Sequence, residues 1–304
     1  MSRRVIVGVV VVVALVLGAG LVVWANAQGL LGPHGKARQL LGVADRAASA
    51  GDAVQAQAKL EELIGTYPDS PWTDEALLKL GEVNEAQQHW SEARTAYKLL
   101  LDRFAGSGSA AQAQAKLGTV NVQLLFSPIL TEQDLPYEVK PGDSLGRIAD
   151  THHTTVELLK RANGLSNDVI QPQQHLKVPN AKFAIVVDKS DNQLLLTADN
   201  QFFKLYPVAT GKGNSTPVGA FKIINKIVKP VWYRQGAVVP QDSPENILGT
   251  RWLGFDKKGY GIHGSVDDSA IGQQVTAGCV RMHNGDVEEL FAIVPAGTEV
   301  TIVD

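Results

Sequence analysis

The stretch TAGCVRM at residues 276–282 contains the only cysteine in a chain of 304 residues, and YGIHGS precedes it at residues 260–265. Cys279 and His263 are sixteen positions apart, so no single helix brings them together, whereas two neighbouring strand ends could. An imidazole within hydrogen-bond reach can take the proton of a thiol, or hold an imidazolium–thiolate pair. The spacing therefore allows Cys279 and His263 to act as a nucleophile and its base if two neighbouring strands bring them together.

Each of these two residues also has a purely structural interpretation. A lone Cys279 fits a small buried hydrophobic residue, and His263 fits a hydrogen-bonded core histidine. The neighbouring glycines favour catalysis, because Gly278 lets the backbone approach closely. Amides around Gly278 and Cys279 could then donate to an oxyanion, and one such donor typically contributes about 3 kcal/mol.

The sequence around the two motifs is β-rich. Hairpin signals stand at residues 190–192 and 198–200, between runs of alternating apolar residues. One helix is expected near the end of the chain. There Asp286 and Glu289 form a D-x-x-E capping box, and Pro295 follows the last helical turn.

Residues 182–304 resemble the L,D-transpeptidase catalytic domain of the YkuD type. ATGKGNSTPVGAFKI, LGTRWLGF and IHGS…VTAGCVRMHNGDVEELF follow one another in the family's order. The resemblance implies that Cys279 is the nucleophile, that His263 is its base and that the Gly264 carbonyl orients the imidazole. Support for the oxyanion or the substrate is expected from Gly278, Arg281 and Ser265.

The same resemblance implies a reaction on peptidoglycan stem peptides, in biosynthesis and organisation of the cell wall and in cell shape. The thiolate attacks an L–D peptide bond, D-Ala leaves, and an amine of another stem captures the thioester as a 3-3 cross-link. No cofactor or metal is implied. If water captured the thioester instead, the protein would be an L,D-carboxypeptidase. If the substrate were different, it would be another cysteine amidohydrolase. Ala277 replaces a second histidine of many members, which keeps a non-catalytic peptidoglycan-binding scaffold open.

Residues 136–180 are predicted to form a strand–helix–helix–strand module. Asp143 or Ser144 can cap the first helix, and Thr155 the second. VKPGDSL, ELLKRAN and LKVP resemble a LysM module, which implies a groove for the N-acetylglucosamine backbone of peptidoglycan, unless the fold is retained without affinity. Gln173 stands where the family usually has Gly. Groove residues are expected to be Gly142, Asp143, Ser144, Leu145 and Ile170.

Residues 35–126 are rich in helix-forming residues and repeat KLGEVN as KLGTVN at an offset of 37 residues. The array resembles tetratricopeptide repeats, whose period is about 34 residues. It is expected to act either as a plain spacer or as a docking surface for a protein partner. Residues 126–136 contain two prolines and read as a linker.

Residues 1–27 are predicted to form a transmembrane anchor. Residues 5–24 carry no charge and follow Arg3 and Arg4, so the rest of the chain is expected outside the inner (cytoplasmic) membrane, facing the periplasm or cell wall. Residues 25–27, ANA, keep a cleaved signal peptide open. A net charge of -3 argues against a nucleic-acid partner. The predicted fold class is multidomain: a transmembrane helix, an all-α repeat segment, a small βααβ module and a mainly-β catalytic domain.

Overall fold

The computed structural model describes residues 32–234 and 236–304. The chain divides into two compact units, one ending at Val120 and one running from Asn121 to Asp304. The predicted anchor at residues 1–27 lies outside the described residues. Within those residues, no helix has the length and apolar character needed to cross a membrane.

The first unit is helical, as its composition predicts. Asp52 caps the second helix by accepting a hydrogen bond from the Gln55 amide at 3.0 Å. Gly81 lets two helices approach closely, because a Cβ there would lie 2.2 Å from the ring of the fully buried Tyr97. The helices are α1 (Pro33–Ser49), α2 (Ala53–Thr66), α3 (Thr73–Ala86), α4 (Trp90–Phe104) and α5 (Ala110–Leu125), whose last residues belong to the second unit.

The second unit begins with the βααβ module that the sequence predicts. Ser144 and Thr155 cap its two helices through the amides of Arg147 and Leu158, at 3.3 and 2.9 Å. Asp143 instead accepts from the Tyr137 hydroxyl and the Lys140 amide, both at 2.8 Å, and tightens the preceding turn. The elements are β1 (Asp134–Glu138), α6 (Leu145–Thr151), α7 (Val156–Ala162) and β2 (His175–Pro179).

The segment predicted as a linker is held against this module. The Lys177 amine of β2 donates to the carbonyls of Leu124, Ser127 and Ile129 at 2.7, 3.0 and 2.7 Å. It also pairs with Asp134 at 3.3 Å, and both side chains are almost completely buried. Burial lowers the pKa of Lys177, and Asp134 opposes that shift. Residues 124–134 are therefore ordered by one buried ammonium group.

The βααβ module also packs on the C-terminal domain. Leu158 of α7 is fully buried in the same apolar cluster as Ile293 and Val294. The Thr155 hydroxyl donates to the Ala292 carbonyl. Module and C-terminal domain thus share a core.

The C-terminal domain is built on a mixed eight-stranded sheet in the order β13-β11-β10-β7-β14-β3-β4-β5. The pairs β14–β3 and β11–β13 are parallel, and the other neighbours in this sheet are antiparallel. Strand β7 pairs with β14 through its first four residues and with β10 through the rest, so it joins two halves of the sheet. The strands are β3 (Phe183–Asp188), β4 (Gln193–Ala198), β5 (Gln201–Pro207), β6 (Thr210–Gly211), β7 (Gly219–Val228), β8 (Trp232–Arg234), β9 (Ala237–Val239), β10 (Arg251–Phe255), β11 (Gly261–His263), β12 (Gln274–Thr276), β13 (Val280–Arg281) and β14 (Glu299–Val303).

One face of the β10–β11–β13 region packs on helix α8 (Asn284–Ile293). Leu253, Ile262 and Val280 lie on that face and are fully buried. From the neighbouring β7, the Lys226 amine donates to the carbonyls of Phe291 and Val294, at 2.6 and 2.8 Å, near the end of α8. The alternation of side chains along a strand places Cys279 and His263 on the opposite face.

The predicted capping box of α8 is wrong. The helix begins at Asn284, and its N-cap His283 makes no side-chain capping bond. Glu289 turns instead toward the sheet, where it accepts from Lys204 at 2.6 Å and from the Tyr206 hydroxyl at 2.7 Å. Glu289 therefore makes a charge-assisted hydrogen bond with the Lys204 ammonium in place of the predicted capping bond.

Candidate active site

The two residues that the sequence singles out lie at the ends of neighbouring parallel strands: His263 is the last residue of β11, and Cys279 directly precedes β13. The register pairs His263 with Arg281 and Ile262 with Val280, so Gly261 lies beside Cys279. Side chains two residues apart share a face, which puts Cys279, His263 and Arg281 on one side of the sheet. With strands about 4.8 Å apart and a rise of about 3.3 Å per residue, the Cα atoms of Cys279 and His263 are about 8 Å apart.

The His263 imidazole is buried and held by its own loop. Its Nδ1 lies 2.7 Å from the Gly264 carbonyl oxygen. A carbonyl only accepts hydrogen bonds, so Nδ1 carries the proton and Nε2 is left as the basic nitrogen. Burial lowers the pKa of His263 to about 4, the Gly264 hydrogen bond opposes that shift, and the Arg281 charge adds to it.

This buried imidazole makes the stability of the domain depend on pH. Its pKa is lower in the folded chain than the usual 6.5, so the unfolded chain binds more protons between pH 4 and pH 6.5. The stabilisation is present above pH 6.5 and is lost as the pH falls toward 4, by about 3 kcal/mol. Hydrogen exchange of peptides covering β10 and β11 should show this loss in the wild type but not in His263→Gln. Equal slopes in the two proteins would contradict it.

The Cys279 thiol is half-buried next to the same strands. Its Sγ lies 3.6 Å from the Gly259 carbonyl oxygen. Burial raises the pKa of Cys279, while the Gly261 amide and the Arg281 charge oppose the shift. A thiol with a raised pKa beside an imidazole with a lowered pKa favours a neutral pair at rest, in which the histidine acts as a general base.

The loop before the cysteine requires a glycine at position 278. Gly278 has φ +133, and a Cβ there would lie 2.8 Å from the Tyr260 ring. Its amide donates to the Thr276 hydroxyl at 3.1 Å, and that hydroxyl donates to the Cys279 carbonyl at 2.7 Å. In this conformation the Gly278 amide is engaged, so a role as an oxyanion donor requires that bond to be shared or exchanged. Ala277 is exposed on the same loop.

Asn284 holds the loop that carries the Gly264 carbonyl. Its Oδ1 accepts from the amides of Thr250 and Ser265 at 3.1 and 3.2 Å, and its Nδ2 donates to the Ser265 carbonyl at 2.6 Å. A Cβ at Gly264 would lie 2.2 Å from that Oδ1. No sequence pattern predicts this role of Asn284, because an asparagine after a histidine carries no local signal of a contact 19 residues away.

The remaining predicted catalytic-domain residues lie around this loop. Ser265 is buried, and its hydroxyl donates to the Asp267 carbonyl at 2.6 Å. The backbone amide and carbonyl of Arg281 exchange hydrogen bonds with those of Ala209. The buried Nε of Arg281 has no hydrogen-bond partner among the described residues. A cleft of about 510 Å³ opens beside Ser265 and Asn284.

The residues predicted for the glycan groove differ in their exposure. Leu145 is buried in the core of the βααβ module, so its side chain supports the loop from beneath. Ile170 packs on the same core, whereas Gly142 (φ +87) and Ser144 are exposed. Gln173 adopts φ +71, a left-handed conformation that favours glycine and explains the glycine usual at this turn.

Comparison with known families identifies the domains of the chain. The family model of the L,D-transpeptidase catalytic domain matches residues 182–302, the LysM model matches residues 137–179, and a tetratricopeptide repeat model matches residues 75–107. The fold and the family models together define an acyltransferase domain of the L,D-transpeptidase type, which follows a LysM module in the sequence.

Two relatives from Bacillus support this assignment. The L,D-transpeptidase named YkuD of Bacillus licheniformis is 38% identical over 176 residues, which cover 55% of this chain and 98% of the relative. YqjB of Bacillus subtilis is 41% identical over 126 residues, covering 40% and 70%. A crystal structure of a Mycobacterium tuberculosis L,D-transpeptidase aligns with 44% of this chain and 63% of its own, at 16% identity and TM-score 0.36. The chain belongs to the L,D-transpeptidase family.

Proposed function

We propose that this protein is an exported peptidoglycan L,D-transpeptidase that acts through a thioester on Cys279. The observation that carries the proposal is the register of β11 and β13, which puts Cys279 and His263 on one face. The Nδ1 bond to Gly264 leaves the basic Nε2 to take a proton.

In the proposed first half-reaction, the Cys279 proton moves to His263 Nε2 as the sulfur attacks the carbonyl carbon of an L–D peptide bond. The tetrahedral intermediate collapses when the C–N bond breaks, and the imidazolium returns the proton to the leaving D-Ala amine. The products are free D-Ala and a thioester on Cys279. Arg281 lies next to this site and suits a carboxylate of the stem peptide.

In the second half-reaction, an amine of another stem attacks the thioester. His263 removes the amine proton, the C–S bond breaks, and the proton returns to the sulfur, which leaves a 3-3 cross-link. One amide replaces another, so the exchange needs neither ATP nor a cofactor. Capture by water instead would make the protein an L,D-carboxypeptidase.

The proposed location follows from the domain order. The LysM module is expected to hold the glycan strands, and the uncharged segment at residues 5–24 to anchor the chain in the inner membrane. Tethering and wall binding would raise the concentration of stem peptides at Cys279. The helical repeats are proposed as a spacer or as a docking surface for a protein partner.

Product analysis on purified muropeptides tests the reaction directly. The purified protein is incubated with disaccharide-tetrapeptides, and products are separated and weighed by mass spectrometry. We expect free D-Ala and a 3-3 dimer in equal amounts. Cys279→Ala serves as the blank and should form neither product.

Other outcomes separate the alternatives. Free D-Ala with tripeptide monomers and no dimer would indicate an L,D-carboxypeptidase. Cleavage at a different bond would indicate another cysteine amidohydrolase. Wild-type protein that gives no product and takes up no carbapenem on Cys279 would leave the peptidoglycan-binding scaffold.

A further inference from the structure

A row of side chains crosses four adjacent strands on the face that carries Cys279. Trp252 of β10 stands directly opposite His263 of β11, which stands opposite Arg281 of β13. On the other side, Asn225 of β7 pairs with Gly254, two residues along β10 from Trp252. Asn225, Trp252, His263 and Arg281 therefore share one face of the sheet.

The Trp252 indole stacks on the His263 imidazole. The ring centroids are 6.1 Å apart and the ring planes differ by 18°. Trp252 is partly exposed, whereas the next residue, Leu253, points into the core and is fully buried. The indole therefore belongs to the open face of the sheet, and its removal leaves the apolar core in place.

Several contacts fix the indole in this position. Its Nε1 donates to the Asn225 side-chain oxygen at 3.1 Å. Glycines provide the space that the ring occupies: a Cβ at Gly254 would lie 2.6 Å from Nε1, and a Cβ at Gly261 would lie 2.9 Å from Cζ2. Gly261 is also the residue beside Cys279, so the indole reaches the strand position next to the nucleophile.

The hydrogen bond to Gly264 fixes only one edge of the imidazole. Rotation about that bond could still tilt the ring and move Nε2 away from the sulfur, and a stacked aromatic ring restricts that tilt. The face of an indole carries partial negative charge and attracts a cation. Arg281 is the charged group that the structure places against His263, and it opposes formation of an imidazolium.

We propose that Trp252 is a positioning residue that fixes the plane of the His263 imidazole and stabilises the imidazolium formed at each proton transfer, with Asn225 as its anchor. The proposal rests on the general-base role of His263 in the proposed function. The segment LGTRWLGF at residues 248–255 would then contribute a positioning residue to the site as well as a strand to the sheet.

The test measures alkylation of Cys279 by iodoacetamide at neutral pH, which requires loss of the thiol proton but no transpeptidase substrate. Trp252→Leu is expected to slow alkylation about threefold to tenfold, which is the change in rate that corresponds to the typical energy of one aromatic pair. Trp252→Phe keeps an aromatic face and should retain most of the rate. Asn225→Ala should slow it about twofold to threefold, through loss of one hydrogen bond.

A double-mutant cycle separates positioning from a general structural effect. In the His263→Gln background, Trp252→Leu should change the alkylation rate by less than about twofold, because the partner ring is gone. Trp90→Leu in α4 is the matched removal of an indole and should leave the rate unchanged. Melting curves check that each variant is folded.

Two results would overturn the proposal. One is a Trp252→Leu protein that is alkylated at the wild-type rate, and the other is an equal slowing with and without His263. Either result leaves the proposed transpeptidase function untouched, because that function is tested by muropeptide products. Conversely, a wild type that makes no transpeptidation product can still show the coupling between Trp252 and His263.

Discussion

Replacing His263 with Gln is expected to slow acylation of Cys279 by a carbapenem about 10²- to 10⁴-fold, the range typical for loss of a general base. Burial raises the pKa of Cys279, so the thiol gives up its proton only to a neighbouring base. Gln lacks a basic nitrogen and cannot substitute. Mass spectrometry of the intact protein at successive times measures the rate as the appearance of the adduct.

Two controls make the His263 result specific. Cys279→Ala should show no adduct, which identifies the acylated residue. His175→Gln changes an exposed histidine on β2 and should react at the wild-type rate. If His263→Gln is folded and acylates normally, His263 is not the base and the proposed mechanism fails.

The pairing of cysteine and histidine could be predicted from the sequence because His263 ends one short strand and Cys279 directly precedes another, and glycines flank both residues. The helix caps at Ser144 and Thr155 were also accessible, since a capping bond spans only three residues. The predicted placement of Cys279 and His263 near each other agrees with the register of β11 and β13. Their catalytic roles remain predictions until acylation is measured.

Contacts between side chains on neighbouring strands could not be predicted from local sequence patterns. Trp252 meets His263 only because β10 and β11 pair in one register, and a shift of one residue would turn the indole to the core face. Asn284 and Glu289 act on partners 19 or more residues away. The capping-box prediction failed for the same reason, because Glu289 has a tertiary partner that its local sequence does not reveal.

Removing the Lys177 amine is the second large effect that we expect. Lys177→Ala should destabilise the region around β1 and β2 by about 3–5 kcal/mol, the usual cost of breaking a buried ion pair. The substitution leaves the Asp134 carboxylate buried without its cation and removes the shared donor of three carbonyls. Hydrogen exchange of peptides covering residues 124–138 should accelerate by about 10²-fold or more.

A surface pair provides the matched comparison for Lys177. Lys160 pairs with the exposed Asp168 at 2.7 Å, and Lys160→Ala should cost less than about 1 kcal/mol. Combining Lys177→Met with Asp134→Leu should recover part of the loss, because a neutral apolar pair leaves no buried charge. If Lys177→Ala exchanges no faster than Lys160→Ala, the ammonium does not order the segment. Residues 126–136 would then behave as the free linker that the sequence predicts.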